Sequence, residues 1–336
     1  MKIGLVVTPI IQCPPERYGG IERVAYWLGQ DLVKLGHKVT LFARDGSYLE
    51  GAEVITFLGS EGKEYASLIA QKHRGTYFDV IHDFTHDKHL TGHFRYESRV
   101  INTLQGLAKR GPNTACISYA QRKHLYGELA TYPVVYNRVP TDYFVPINNP
   151  TRDYLLYMGS VNDYKGVDIA VEVAIETGNV LKICGPAWDS AYFDKFVKPK
   201  IGDNIQFIGD VGGEEKLSLL QNAKALFHPV RWCEAGAIIV SESISCGTPV
   251  VGSYNGVIPE LVSPAVGKLA FVLPFDEYKH GSGGCYNKEG MIEAVETIDE
   301  IDRDTCRGYA EAYFDKSKST VEYLELYAKI TSGENW

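Results

Sequence analysis

Two carboxylates, Glu234 and Glu242, lie on either side of a run of small and apolar residues within FHPVRWCEAGAIIVSESISCGTPVVGSYNGVIPELV, residues 227–262. The apolar segment Ala225 to Val230 reads as the end of a buried strand. A loop carrying Glu234 follows, and Ala235-Gly236-Ala237 then open a helix that holds Glu242 and stops near Gly247. Helical rise puts the two acids roughly 12 Å apart, with the unpaired amides of Ala235, Gly236, Ala237 and Ile238 between them. An ionised carboxylate only accepts hydrogen bonds, so each acid suits hydroxyls and repels phosphate, while the helix start attracts an anion. The spacing therefore fits an elongated ligand, anionic in the middle and hydroxylated at both ends, as a nucleotide sugar is. Cys233 adjoins Glu234, where a nucleophile could sit, but it reads as a buried, reduced thiol.

The elements that must position these groups fit an ordinary globular chain of 336 residues, 45% hydrophobic and 23% charged, long enough for two cores. No apolar run is long enough to span a bilayer. Pro9 and Pro14 interrupt the apolar start, which reads as a first buried strand and not a signal peptide. A net charge of −8 opposes a duplex nucleic-acid binder. Seven cysteines without a CxxC pair imply reduced thiols and a cytoplasmic protein.

Along the chain, a strand from Lys2 to Thr8, a helix from Ile21 to Leu35 and a strand from Lys38 to Ala43 make a βαβ unit. Its loop, PPERYGGIER, is no GxGxxG, which argues against a nicotinamide enzyme; Gly19-Gly20 serves either a close phosphate approach or a tight turn. His82, Asp83, His86, Asp87, His89 and His93 follow a strand end, but no glutamate completes an HExxH metal pattern. Val134 to Asn137 reads as the last strand of the first half, and residues 144–152 as a polar linker. The second half restarts with a strand from Tyr154 to Gly159. Lys165 follows at a loop-to-helix junction, a phosphate counter-charge or a solvated lysine. Two further strands end at Gly185 and at Gly209-Asp210-Val211, where backbone can approach a ligand. The HGSGGC run lacks a following GK[ST] and reads as a loop. Asp302-Arg303-Asp304 matches a short DxD pattern but reads as the solvated face of a polar helix.

The Glu234/Glu242 spacing, with CGTPVV and NGVIPELV in register behind it, resembles the donor-site signature of the family 4 retaining glycosyltransferases. That resemblance implies an α/β GT-B fold: two facing Rossmann-like domains, with a C-terminal helix crossing back to the first. The domains expected are 1–148 on the acceptor side, 152–318 for the nucleotide sugar, and 319–336 for the crossing helix. It further implies transfer of a sugar, a UDP-sugar foremost, to an acceptor hydroxyl with retention, and no cofactor or metal. Nucleic acid is not an implied partner. The catalytic residues implied are Glu234, Lys165 and His86, with His82 or His86 walling the acceptor site. The donor-binding residues are Gly19, Gly20, Arg138, Ser160, Lys165, Gly185, Gly209, Val211, Glu234, Ala235, Gly236, Ala237, Ile238 and Glu242. Two positions depart from the family pattern: Gln105 stands where a histidine is usual, and Ser160 where an arginine is, which implies either weaker donor phosphate binding or a charge supplied instead by Arg138 or Arg231. The rival readings are a nucleotide-sugar epimerase or hydrolase on the same fold, and a non-catalytic nucleotide-sugar-binding protein.

Overall fold

Hydrophobic runs bounded by glycine and polar turns become parallel strands in the computed structural model of the chain, which describes residues 1–58, 63–75, 78–85, 99–103, 105–107, 113–272 and 286–336. The chain divides into two compact units, Met1–Arg138 with Lys316–Trp336, and Val139–Asp315.

In the first unit, β1 (Lys2–Val6), β2 (Lys38–Arg44), β3 (Glu53–Phe57), β4 (Val80–Asp83), β5 (Val100–Thr103) and β6 (Thr114–Ala115) lie in the order β3-β2-β1-β4-β5-β6. All the pairings are parallel. Helices α1 (Gly20–Lys34), α2 (Lys63–Gly75) and α3 (Tyr119–Tyr126) connect them. α1 buries Val24, Leu28 and Leu32, a stripe at helical spacing. Burial along every residue of β4 and β5 is what a covered parallel sheet demands, and it decides the fate of His82. The ring is fully buried, stacks on Phe84 at 4.0 Å, and bonds the Tyr327 hydroxyl through Nδ1 (2.7 Å) and Thr103 Oγ1 through Nε2 (2.5 Å). His82 is thus a satisfied core histidine under the C-terminal helix (Lys316–Ser332), not a wall of an acceptor site. His86, Asp87, His89 and His93 lie outside the described residues. The strand expected over Val134 to Asn137 reduces to one bridge, Cys116 with Val134, because the chain then turns so that Asn137 meets Gln105.

The second unit repeats the winding. β7 (Tyr154–Met158), β8 (Val180–Cys184), β9 (Ile205–Gly209), β10 (Ala225–His228), β11 (Val250–Ser253) and β12 (Gly267–Ala270) form a parallel sheet ordered β12-β11-β10-β7-β8-β9. α4 (Val167–Glu176), α5 (Gly213–Asn222), α6 (Ile238–Ser245), α7 (Lys288–Glu296) and α8 (Arg303–Tyr313) pack around it. Both aspartates of the DxD segment lie exposed, as a solvated face would have them, and only Arg303 between them is buried. Asp302 caps α8 by accepting from the Thr305 amide at 2.8 Å, which makes it a structural carboxylate. Arg303 is buried and donates to the carbonyls of Ala223, Gln221 and Cys246 and to Thr248 Oγ1. The HGSGGC run lies outside the described residues. Among the described residues no helix is long and apolar enough to cross a membrane.

Burial holds the His82 imidazole well below its ordinary value and brings His228, on β10, down to about 4. Both fold neutral, while the unfolded chain takes up protons below about pH 6.5. The unfolded state then binds more protons, so stability is full above about pH 6.5 and declines as pH falls toward the folded values. His82→Gln is expected to flatten that decline by up to about 1.4 kcal/mol per pH unit. Urea melts at pH 7, 6 and 5 measure it, and an unchanged slope would exclude His82 as the source.

Candidate functional site

In each sheet the winding reverses once, between β1 and β4 and between β7 and β10, and the carboxyl ends of strands at such a switch point are where open α/β sheets bind ligands. At the second, the loops leaving β7, β8 and β10 touch backbone to backbone. Gly166 (φ +70°) lies so close to Pro229 that a Cβ would stand 2.0 Å from its carbonyl oxygen, and Gly185 (φ +135°) meets the Gly159 carbonyl in the same way. Only glycine allows both the conformation and the approach.

Arg231, just beyond β10, is 1% exposed and sets its guanidinium against Asp168 near the start of α4, with both nitrogens at 2.7 Å from the two carboxylate oxygens. Its Nη1 also reaches the carbonyl and the carboxylate of Asp163. Three residues on, Glu234 is held from behind: its carbonyl accepts from the Val257 amide at 2.8 Å, and Asn255 donates to the Arg231 carbonyl at 2.9 Å. Gly256 (φ +55°) fits beneath it, where a Cβ would come within 2.3 Å of the Glu234 nitrogen.

Held in this way, Glu234 is 5% exposed and meets Lys165. The ammonium lies 2.5 Å from Oε2, and the Trp232 indole donates to the same oxygen at 2.7 Å. Lys165 also sits 4.7 Å over the Trp232 ring, which packs against Tyr164 at 5.3 Å. His228 Nε2 is 3.9 Å from Oε2, buried and without a hydrogen-bond partner among the described residues. Burial lowers its pKa more than the Glu234 carboxylate raises it, and Lys165 lowers it further, so the imidazole is neutral at pH 7.

α6 begins at Ile238, later than expected, because Ala235-Gly236-Ala237 stay in loop conformation and Ala237 offers no capping side chain. The Val240 amide bonds the Ala237 carbonyl at 3.0 Å, and among the described residues no side chain caps the amides before it. Glu242, within α6, is fully buried, with the Lys216 ammonium 2.5 Å from Oε2 outside hydrogen-bond geometry; neither carboxylate oxygen has a hydrogen-bond partner among the described residues.

The remaining candidates fall as follows. Ser160 is buried and its hydroxyl accepts from Asn162 at 2.9 Å. Gly209 (φ +89°) accepts through its carbonyl from the Gly185 amide, and Val211 is buried. In the first unit, Gly19 (φ +146°) leaves no room for a side chain, since a Cβ would stand 2.7 Å from Pro15, and it precedes Gly20, which opens α1. Arg138 forks onto Glu322 at 2.6 and 2.9 Å. Gln105 exchanges amide hydrogen bonds with Asn137. His86 lies outside the described residues. The fold thus gathers Lys165, Glu234, Ser160, Gly185, Gly209 and the start of α6 at one sheet end, while Gly19, Gly20 and Arg138 belong to the other unit. It also engages Arg231 with two carboxylates, so that residue is no spare phosphate charge. Trp232, His228 and Asp168 escaped the sequence reading, although a tryptophan two residues before the loop carboxylate was a visible signal. Among the described residues no group of three or more His, Cys, Asp or Glu side chains is placed to hold a metal ion.

Gly256→Ala is expected to cost about 2–3 kcal/mol in urea unfolding, against about 1 kcal/mol for Gly178→Ala, which shares a positive φ but has open space around it. Equal losses would show that the Gly256 contact with Glu234 is unimportant.

Residues 140–277 match the family of glycosyl transferases group 1. No curated protein matches the chain. Among solved structures it is similar to AviGT4, a glycosyltransferase involved in avilamycin A biosynthesis, at TM-score 0.81 and 29% identity over 100% of this chain and 99% of that one. Sucrose-phosphate synthase from Thermosynechococcus elongatus gives 0.78 and 15%, covering 99% and 100%. Anabaena HepE in complex with UDP and glucose gives 0.74 and 15%, covering 98% and 100%. Two six-stranded parallel sheets in this winding are the GT-B fold.

Proposed function

Starting from a glycosyltransferase with a group 1 domain and the GT-B fold, we propose that the chain moves a sugar from a nucleoside diphosphate sugar, a UDP-sugar foremost, to an acceptor hydroxyl with retention at the anomeric carbon. The observation that carries this reading is the Lys165–Glu234 pair at the switch point of the second sheet, in the loop that leads into the uncapped start of α6.

Charge builds on the leaving diphosphate as the glycosidic bond breaks, and stabilising it is the main catalytic demand. The α6 amides and Lys165 meet that demand. An ammonium carries three protons, so Lys165 can keep one on Glu234 and turn another toward a phosphate oxygen. Glu234 orients the sugar through its hydroxyls and does not attack the anomeric carbon; the two carboxylates are not the acid and base of a glycosidase. Glu242, fully buried beside the Lys216 ammonium, takes the ribose hydroxyls, which requires its carboxylate to be uncovered. HepE is solved with UDP and with UDP-glucose, which makes UDP the first nucleotide to try. The free thiols, five of them buried, suit a reducing compartment, the cytoplasm.

Calorimetric titration with UDP, GDP and ADP without added metal, then with the sugars of whichever binds, is the direct test; selective binding of one nucleotide is expected, and no binding by any of them would sink the reading. Glu242→Ala is expected to weaken the preferred nucleotide about tenfold or more, and unchanged affinity would count against a ribose contact. Lys165→Met is expected to lower turnover about 100-fold or more with the chain still folded. Proton NMR of the first-formed product reads the anomeric configuration, where inversion would overturn retention.

A further inference from the structure

The side-chain contacts that reach the Glu234 carboxylate converge on one of its two oxygens. Lys165 Nζ at 2.5 Å and Trp232 Nε1 at 2.7 Å both meet Oε2, and His228 Nε2 lies 3.9 Å from the same atom. Among the described residues no hydrogen bond reaches Oε1, and unlike both oxygens of Glu242 it is not enclosed.

We propose that Trp232 is a positioning residue: its indole N–H, together with Lys165, pins Glu234 by Oε2 and presents Oε1 to the ligand as a hydrogen-bond acceptor. The inference rests on the reading of Glu234 as the residue that orients the sugar of a nucleotide sugar. A glutamate carboxylate turns easily about its last torsion, which has broad, two-fold preferences. Two donors arriving at one oxygen from a lysine stem and an indole edge fix its plane. The two are not equivalent. The lysine stem is flexible and its ammonium is also needed by the diphosphate, whereas the indole is rigid, carries one donor and has no competing acceptor role. Trp232 therefore keeps Oε2 when Lys165 turns toward phosphate. Its ring is braced for this by Tyr164 at 5.3 Å. Selectivity follows from the chemistry of Oε1: an ionised carboxylate oxygen only accepts, so the group placed there is a hydroxyl. A nucleoside diphosphate without its sugar leaves Oε1 unused.

Trp232→Phe keeps an aromatic ring and removes the N–H. With UDP and UDP-glucose as probes, affinity for UDP is expected to stay within about twofold, while the affinity added by the sugar falls about tenfold. An unchanged sugar contribution would overturn the proposal, as would equal weakening of both ligands with a lower melting temperature, which marks a merely structural role. A second measurement needs no nucleotide. With indole nitrogens labelled, the four tryptophans give four N–H signals, and Trp232→Phe assigns one of them. Glu234→Gln is expected to move that signal upfield and to speed its exchange with water about fivefold or more, since a charged acceptor is replaced by a neutral one. A signal that does not move overturns the clamp. If the wild-type chain binds no nucleotide sugar, the donor reading falls, and the indole signal alone decides whether Trp232 holds Glu234.

Discussion

The bidentate pair between Arg231 and Asp168 is the constraint from which the rest of the site follows. It ties the loop leaving β10 to the start of α4, and hence the Glu234 side of the site to the Lys165 side. Burying two charges is costly, and such a pair adds little net stability over an apolar contact of the same shape. What it does supply is geometry. A planar fork against a carboxylate has few alternatives, and here Asp163 closes off still more of them. Trp232 and Glu234 follow Arg231 directly, so their directions are inherited from this anchor.

The second layer of control is backbone contact. Gly166 against Pro229, Gly185 against Gly159 and Gly256 against Glu234 are approaches that any side chain would block. They leave the loops at the carboxyl ends of β7, β8 and β10 little room to move independently. The polar chemistry is then added with short, rigid or anchored groups: an indole, a carboxylate held at its own carbonyl, and a lysine whose amide is capped by Asn162 at 3.1 Å. The first unit uses the same devices elsewhere, with Arg138 forked onto Glu322 and His82 threaded between Tyr327 and Thr103. There they fasten the C-terminal helix to the sheet.

Much of the fold was legible because buried parallel strands are short apolar runs, several of them ending at glycine or a polar turn. The strand starting at Tyr154, the helix starting at Val167 and the strand ending at Cys184 needed no more than that. The failures share one cause. Asp302 and Asp304 are solvated, as their charge suggests, yet Arg303 between them is buried, since the carbonyls of Ala223, Gln221 and Cys246 come from distant segments to receive it. His82 looks like a site histidine until Tyr327, 245 positions away, supplies its partner.

The sequence by itself determined the alternation of strands and helices, and the presence of a carboxylate in the loop before a helix with a second acid inside that helix. These are local properties, set by periodicity, by turn residues and by what an acid or a free amide can bond. Only the tertiary structure decided that Lys165 and Trp232 share one oxygen of Glu234, that Arg231 is engaged by Asp168, and that Glu242 is fully buried beside Lys216. Each of those facts depends on where a chain segment remote in sequence brings a charge or a donor, and no local spacing carries that information.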